Sequence, residues 1–330
     1  MQKLVIDKPD FKYEDYINTL LMLDNNDPEI HMIYGLKFMT PFIGVLIASY
    51  LNSQKFKVTS EISPEGEKSS NYAEFINFFH FVENSKNVDE RNTTYSGTCT
   101  PIMKSIMVDY YRGQENISEK ISRKISKVIS CDNSDVESVF FYIISELIRN
   151  IPEHSHSFDA WHSSQYWVHE EYIESEIALV DYGIGYRESF NFKEDRQLVN
   201  DVEAMEFALQ PGVTSGITKR SHLRENEEEE YLNSGYGLYM ITELCKKFKG
   251  KYVIISKSAI ATNKKISFLD NGGSFPGTAI KIRLQVPKNL TKEKFQKTIS
   301  DIAKEGEELS KSISGAFNIA STKSKSLRLE

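Results

Sequence analysis

Apolar positions along the chain follow two periods, and their alternation predicts a succession of strands and helices. Residues 4–6 read as a short strand, and 13–23 carry apolar side chains at helical spacing until Asn25-Asn26-Asp27-Pro28 breaks the pattern. Residues 30–38 read as a second strand. Pro41 sits where a first helical turn tolerates proline, which starts a helix running to about 52. A strand over 56–60, a loop at Ser63-Pro64-Glu65-Gly66 and an aromatic-rich helix over 72–82 complete a small α/β unit assigned to residues 1–115. The longest apolar stretch, 33–51, is interrupted by Lys37, Thr40, Pro41, Gly44 and Ser49. A membrane helix needs about 20 mostly apolar residues, so this stretch reads as a buried strand–helix unit.

A polar, amphipathic helix over 117–129 serves as the linker, placed at 116–133. Asp132 or Ser134 can cap the next helix, because their side chains accept backbone N–H bonds. That helix carries a broad apolar stripe through Val136, Val139, Phe140, Ile143, Leu147 and Ile148. Strands are expected at 177–180, 252–256, 266–269 and 278–286, with a helix over 239–248 that stops at Gly250. Trp161 and Trp167 suggest a partly packed surface hairpin. Beyond Pro287 a charged helix over 291–312 leads into a Ser/Lys-rich tail, and 291–330 is set apart from the second domain, 134–290. The aromatic stripe Phe75, Phe78, Phe79 and Phe81 reads as core or domain interface.

Length and charge narrow the function classes. At 330 residues the chain suggests two domains, on a prior of about 150 residues each. The net charge of −7 and the acidic run at 225–230 argue against broad phosphate-backbone binding, so nucleic acid is not indicated. The three cysteines are scattered and form no CxxC spacing, which fits a reducing compartment. With no leader-like start, the expectation is a cytoplasmic protein with no membrane association. His-Ser-His at 154–156 is compatible with metal binding, but the spacing matches no structural zinc pattern.

Three segments carry candidate chemistry. Glu146-Leu147-Ile148-Arg149-Asn150 places an acid and an amide on one helix face, four residues apart. Asp181-Tyr182-Gly183-Ile184-Gly185 follows the apolar run 177–180, so a carboxylate ends a buried strand and two glycines free the backbone for a sharp turn. Gly235-Tyr236-Gly237-Leu238 precedes a helix, where exposed N–H groups and the helix dipole suit a phosphate. Gly277-Thr278 opens the last strand. Each segment also has a plain structural reading: a solvated helix face, a strand-end turn, a helix start. No Walker A or dinucleotide fingerprint is present.

In this order the segments resemble the ATP-binding domain shared by gyrase, Hsp90, histidine kinases and MutL, over about residues 126–290. The resemblance implies a Bergerat-type α/β (α+β) two-layer sandwich, with helices on one face of a mixed, largely antiparallel sheet. It implies ATP and Mg²⁺ as cofactors: Asn150 would ligate the metal, Glu146 would activate a water or a hydroxyl, and Asp181 would accept from the adenine amino group. Gly183, Gly185, Gly235, Gly237 and Leu238 would shape the pocket, and Thr278 would back Asp181. A lid over about 186–234 would bring Thr214, Ser215 and Lys219 to the γ-phosphate. The competing reading of Lys219, Arg220 and Arg224 is pairing with the acids at 225–230. Pro152, just past Asn150, implies that the helix ends or kinks there, or that the metal ligand is displaced.

Residues 37–49 resemble the strand–loop–helix of STAS-type domains, the alternative being an unrelated α/β or helical domain. The resemblances imply a protein partner acting through the N-terminal unit and an ATP-dependent homodimer. Three functions remain open: an ATPase working as a conformational switch, a protein-serine kinase resembling anti-sigma factors, and a module that binds nucleotide without turnover.

Overall fold

The computed structural model describes residues 1–83, 97–107, 117–191, 197–214 and 235–320. The architecture is mixed α/β, and the described residues form two sheets. Strands β1 (Gln2–Ile6), β2 (Glu29–Tyr34) and β3 (Lys57–Ile62) form a parallel sheet in that order. Helices α1 (Tyr13–Leu21) and α2 (Pro41–Ser53) make the crossovers. The second sheet is antiparallel with seven strands: β4 (Cys99–Ile106), β5 (Asp159–Val168), β6 (Tyr172–Asp181), β7 (Lys251–Ser256), β8 (Ala259–Thr262), β9 (Ile266–Phe268) and β10 (Thr278–Pro287). Their order is β4-β5-β6-β10-β7-β8-β9.

Period-two alternation gives the large sheet two apolar faces. Leu179, Ile254, Ile280 and Ile282 pack under a helical layer of α5 (Ile117–Ile129), α6 (Ser134–Asn150), α9 (Gly237–Lys247) and α10 (Lys292–Ser310). Trp161, Ala178, Val180, Val253 and Ile255 join the core of the N-terminal unit. Thus α2 lies between the two sheets, and every residue from Pro41 to Leu51 is buried. A helix apolar on all sides must be covered on all sides, which accounts for the long apolar stretch. No helix among the described residues is long and apolar enough to cross a membrane.

Several boundaries differ from the sequence expectation. Cys99–Ile106, assigned to the unit over 1–115, is instead an edge strand of the large sheet, paired with β5. The proposed linker helix, α5, buries Ile121, Ile125 and Ile129 in the helical core. The C-terminal helix, α10, likewise buries Phe295, Ile299 and Ile302 there rather than standing apart. The aromatic helix is split into α3 (Glu67–Phe75) and α4 (Phe78–Val82), because Asn77 turns left-handed at φ 67° and its amide reaches the carbonyl of Ile102 at 3.2 Å. Phe78, Phe79 and Phe81 are core, whereas Phe75 is exposed. The cap of α6 is Asn133, whose Oδ1 accepts from the N–H groups of Asp135 and Val136. The hairpin around Trp161 is central, and Trp161 is 1% exposed.

A charged cluster ties the N-terminal unit to the large sheet. Glu176 on β6 is fully buried, and its Oε1 accepts the N–H of Phe42 at the start of α2, at 3.1 Å. Lys281 on β10 lies 3.4 Å from Glu176 and also pairs with Asp10, which accepts from Thr40 Oγ1 at 2.7 Å. Burial pushes the Glu176 carboxyl up, and the neighbouring Lys281 ammonium pulls it back down. Removing one partner of a buried pair strands the other. Lys281→Met is therefore expected to cost about 3–5 kcal/mol in urea unfolding. Glu176→Gln added to Lys281→Met should restore part of that loss; a double variant no more stable than the single one would contradict the pairing.

Candidate functional site

The distant segments converge on the helical side of the large sheet. Antiparallel pairing puts Thr278, the first residue of β10, beside Asp181, the last of β6, and beside Ser256, the last of β7. Asp181 is 5% exposed. Its Oδ1 accepts from Ser155 Oγ at 2.6 Å and from the N–H of Gly183 at 2.9 Å. Lys257 donates to the Gly183 carbonyl at 2.8 Å and adds positive charge near the carboxylate. Burial outweighs these contacts and lifts the Asp181 carboxyl from its ordinary 3.8 to about 6.

Opposite stands the end of α6. Its α-helical turns stop at Asn150 and widen into a single π turn, Ile151–Ser155, closed by the N–H of His156 on the Ile151 carbonyl at 3.1 Å. Pro152 lacks the N–H that would continue the α pattern, so the sequence expectation of an ended helix is met by widening. The consequence is local and specific. The π turn carries Ser155 toward Asp181 and leaves Asn150 at the helix end, half-buried.

Two small adjoining cavities lie between these elements. One, of about 20 Å³, is lined by Asn150, Ser155, Asp181, Gly185, Tyr186 and Thr278 among others. The next, of about 50 Å³, is lined by Asn150, His154, Thr214, Gly235, Gly237 and Leu238 among others. Tyr186 and Ser189 on α7 (Gly185–Asn191) line both. Thr214, Gly235, Gly237, Leu238, Asn150, Asp181, Gly185 and Thr278 are therefore brought together. Glu146 and Gly183 do not line either space. Ser215 and Lys219 lie outside the described residues, as do Arg220, Arg224 and the acids at 225–230. Part of the segment read as a lid is helical: α7, and α8 (Asp201–Ala208), capped by Asn200.

Glu146 is placed differently from a solvent-facing base. It is 4% exposed, and Nη2 of Arg149 donates to both its carboxylate oxygens, at 2.9 and 3.1 Å. A side chain at position 237 would begin 2.7 Å from Glu146 Oε2. The carboxylate thus sits against the first turn of α9, whose positive dipole end favours an anion. Gly237 leaves room for that carboxylate, which would have to shift to admit a Cβ. Gly235 is required by its φ of 73° and by the backbone of Val213, 2.4 Å from where a Cβ would stand.

Sequence reasoning missed Ser155 as the partner of Asp181, Arg149 as the partner of Glu146, and Lys257. Arg149 was legible, being three residues from Glu146 on one helix. Lys257 carries no local signal, since only the pairing of β7 with β10 brings it near Gly183. The four histidines between 154 and 169 form no metal-binding group among the described residues: His154 lines both cavities, His156 closes the π turn at φ 58°, His162 is interior and His169 stacks on Tyr172 at the hairpin turn. Comparison of the chain with protein-family models finds no match, and comparison with curated proteins finds none.

Two buried groups give opposing pH dependences. The raised Asp181 carboxyl holds its proton better folded than unfolded, so its contribution is present below about pH 4 and lost as pH rises through about 6. His162 hydrogen-bonds Ser105 through Nε2, and burial lowers it from 6.5 to about 4. Its contribution is present above pH 6.5 and lost as pH falls toward 4. Asp181→Asn retains an Oδ1 acceptor and removes the charge. It is expected to stabilise the protein at pH 7.5 by about 2–3 kcal/mol, with no gain at pH 4, where the His162 loss stands alone. Thermal melts across pH 4–7.5 check this; a variant less stable than the parent at pH 7.5 would contradict it.

Proposed function

We propose that the chain binds Mg²⁺-ATP at these adjoining cavities and acts as a nucleotide-driven switch, resembling the gyrase, Hsp90, histidine kinase and MutL group. The observation that carries the reading is convergence: residues 150, 181, 214, 235, 237, 238 and 278, far apart along the chain, line two neighbouring spaces. Their chemistry fits the ligand. Asp181 offers a buried acceptor for an exocyclic amine, and a purine with a carbonyl there would leave it facing another acceptor. The amide oxygen of Asn150 suits a hard cation that keeps most of its waters and shares phosphate oxygens. The start of α9 suits phosphate. ATP, when bound, supplies the transferable phosphoryl group.

The described cavities are far below the 300–1,000 Å³ of a typical ligand site, so nucleotide entry requires the Tyr186 and Ser189 side of the space to move outward. Glu146 also needs release, because both its oxygens are engaged by Arg149 and a general base must reach the proton it takes. Slow turnover in the isolated chain follows from this tether. The second reading, a kinase acting on a protein hydroxyl, uses the same base. A partner acting through the N-terminal unit and an ATP-dependent homodimer belong to both readings.

Two variants separate binding from chemistry. Glu146→Gln is expected to keep Mg²⁺-ATP affinity within a few-fold and to lower phosphate release at least about 100-fold, the scale of a lost general base. Asn150→Ala is expected to bind ATP with little dependence on Mg²⁺. Single-turnover assays with γ-labelled ATP check both: label in free phosphate supports the ATPase, label in protein supports the kinase, and turnover unchanged in Glu146→Gln contradicts the role given to that residue.

A further inference from the structure

A large cavity lies away from the proposed nucleotide site, on the other face of the large sheet. It is a groove of about 1580 Å³ between the N-terminal unit and the β7–β8–β10 part of the large sheet. One wall is formed where β1, β2 and β3 end, through Asp7, Gly35, Lys37, Ser63 and Glu65. Ligands of parallel sheets characteristically bind outside the carboxyl ends of the strands. The other wall comes from the large sheet and is basic: Lys251, Lys264, Lys265 and Arg283, with Lys281 at its base.

Charge and pairing distinguish the two walls. Among the described residues no carboxylate lies within ion-pair distance of Lys251, Lys264 or Lys265, although the chain as a whole carries a net charge of −7. Arg283 is positioned by its neighbours: its guanidinium stacks on Trp167 at 4.8 Å, and Nε lies 3.4 Å from Glu174, without a hydrogen bond. No described residue hydrogen-bonds its two Nη atoms, which leaves the end of the guanidinium fork for a carboxylate or phosphate. The facing wall carries Asp7, Asp10, Glu14 and Glu65; Asp10 is neutralised by Lys281, and Lys37 adds positive charge near Glu65, so the basic side chains outnumber the acids around the groove. The rim adds two exposed aromatic rings, Phe11 at 73% and Phe38 at 50%.

The size of the groove exceeds that of a usual small-molecule site, about 300–1,000 Å³. We propose that it is the docking site for an acidic segment of a partner protein. The segment enters extended, sets two or more carboxylates against Arg283, Lys251, Lys264 and Lys265, and lays one apolar side chain against Phe11 and Phe38. Charge complementarity supplies selectivity and a fast on-rate, and the aromatic rim supplies the anchor. This inference stands on the groove alone and does not depend on the nucleotide reading.

An immobilised array of dodecapeptides, probed with the full labelled chain, tests it. Each peptide carries a central Phe or Leu flanked by four Asp or Glu, and matched sets replace the acids by Lys or by Ser. Binding is expected only to the acidic set, falling steeply between 50 and 300 mM salt as exposed charge pairs are screened. It should weaken at least tenfold in Lys264→Glu/Lys265→Glu, a pair of exposed substitutions, with the melting temperature unchanged. Arg283→Gln gives an independent second reading of the same wall. No preference for the acidic set, or undiminished binding in both variants, would overturn the proposal. Sedimentation showing a dimer that the same substitutions disperse would also overturn it, by making the groove a contact between copies of this chain.

Discussion

The burial of α2 governs the arrangement of the rest. Eleven consecutive residues of that helix, Pro41 to Leu51, have no exposed face, so both sheets must cover it. Phe42, Ile43, Val45, Leu46, Ile47 and Leu51 alone, at about 1.5–3 kcal/mol each, bring on the order of 10 kcal/mol of transfer free energy. Even as an upper estimate, that is comparable to the whole stability of an ordinary domain. The N-terminal sheet and the large sheet therefore behave as neighbours that cannot part without exposing this helix. Glu176, accepting the first free N–H of α2 and facing Lys281, then sets the register of one unit on the other.

Strong periodicity made much of this legible. The stripe of α6, the apolar strands 177–180 and 278–286 and the amphipathic α9 are where the pattern places them, because one buried face dictates each. The misplaced elements share a cause. Residues 162–165 of β5, His-Ser-Ser-Gln, look like surface, yet all four are buried. Partners across the strands engage most of their polar atoms: Ser163 donates to the Thr100 carbonyl at 2.8 Å, Thr100 and Ser164 share a hydrogen bond at 3.0 Å, and Ser105 meets His162 Nε2 at 2.9 Å, while His162 Nδ1 has no partner among the described residues. Polar composition hides a central strand when the polar atoms pair with one another. For the same reason β4 could not be assigned to its sheet locally, since its partner lies about 60 residues away in the chain.

The site shows the same division. Segment order and residue type identified Asn150, Asp181, Gly235, Gly237 and Thr278, which the fold does gather. Hidden from the sequence was the state of the key groups. Ser155 reaches Asp181 from a π turn that includes Pro152, and Glu146 is tethered to Arg149 against the start of α9. The glycines serve protein–protein contacts within the chain as much as any ligand: a Cβ at Gly183 would lie 2.1 Å from the Ser155 carbonyl oxygen. Such packing leaves little open space, so under the proposed function opening and release of the acid would have to precede chemistry.

Under the proposed function, Asp181 would read an adenine amino group inside this closed site. The most direct test is titration calorimetry of Mg²⁺-ATP and Mg²⁺-GTP into the full chain and into Asp181→Asn. The account predicts binding of ATP with GTP at least about 100-fold weaker, and loss of ATP binding in a variant that is folded and more heat-stable than its parent. Equal affinity for the two nucleotides, or ATP binding undisturbed by Asp181→Asn, would contradict it.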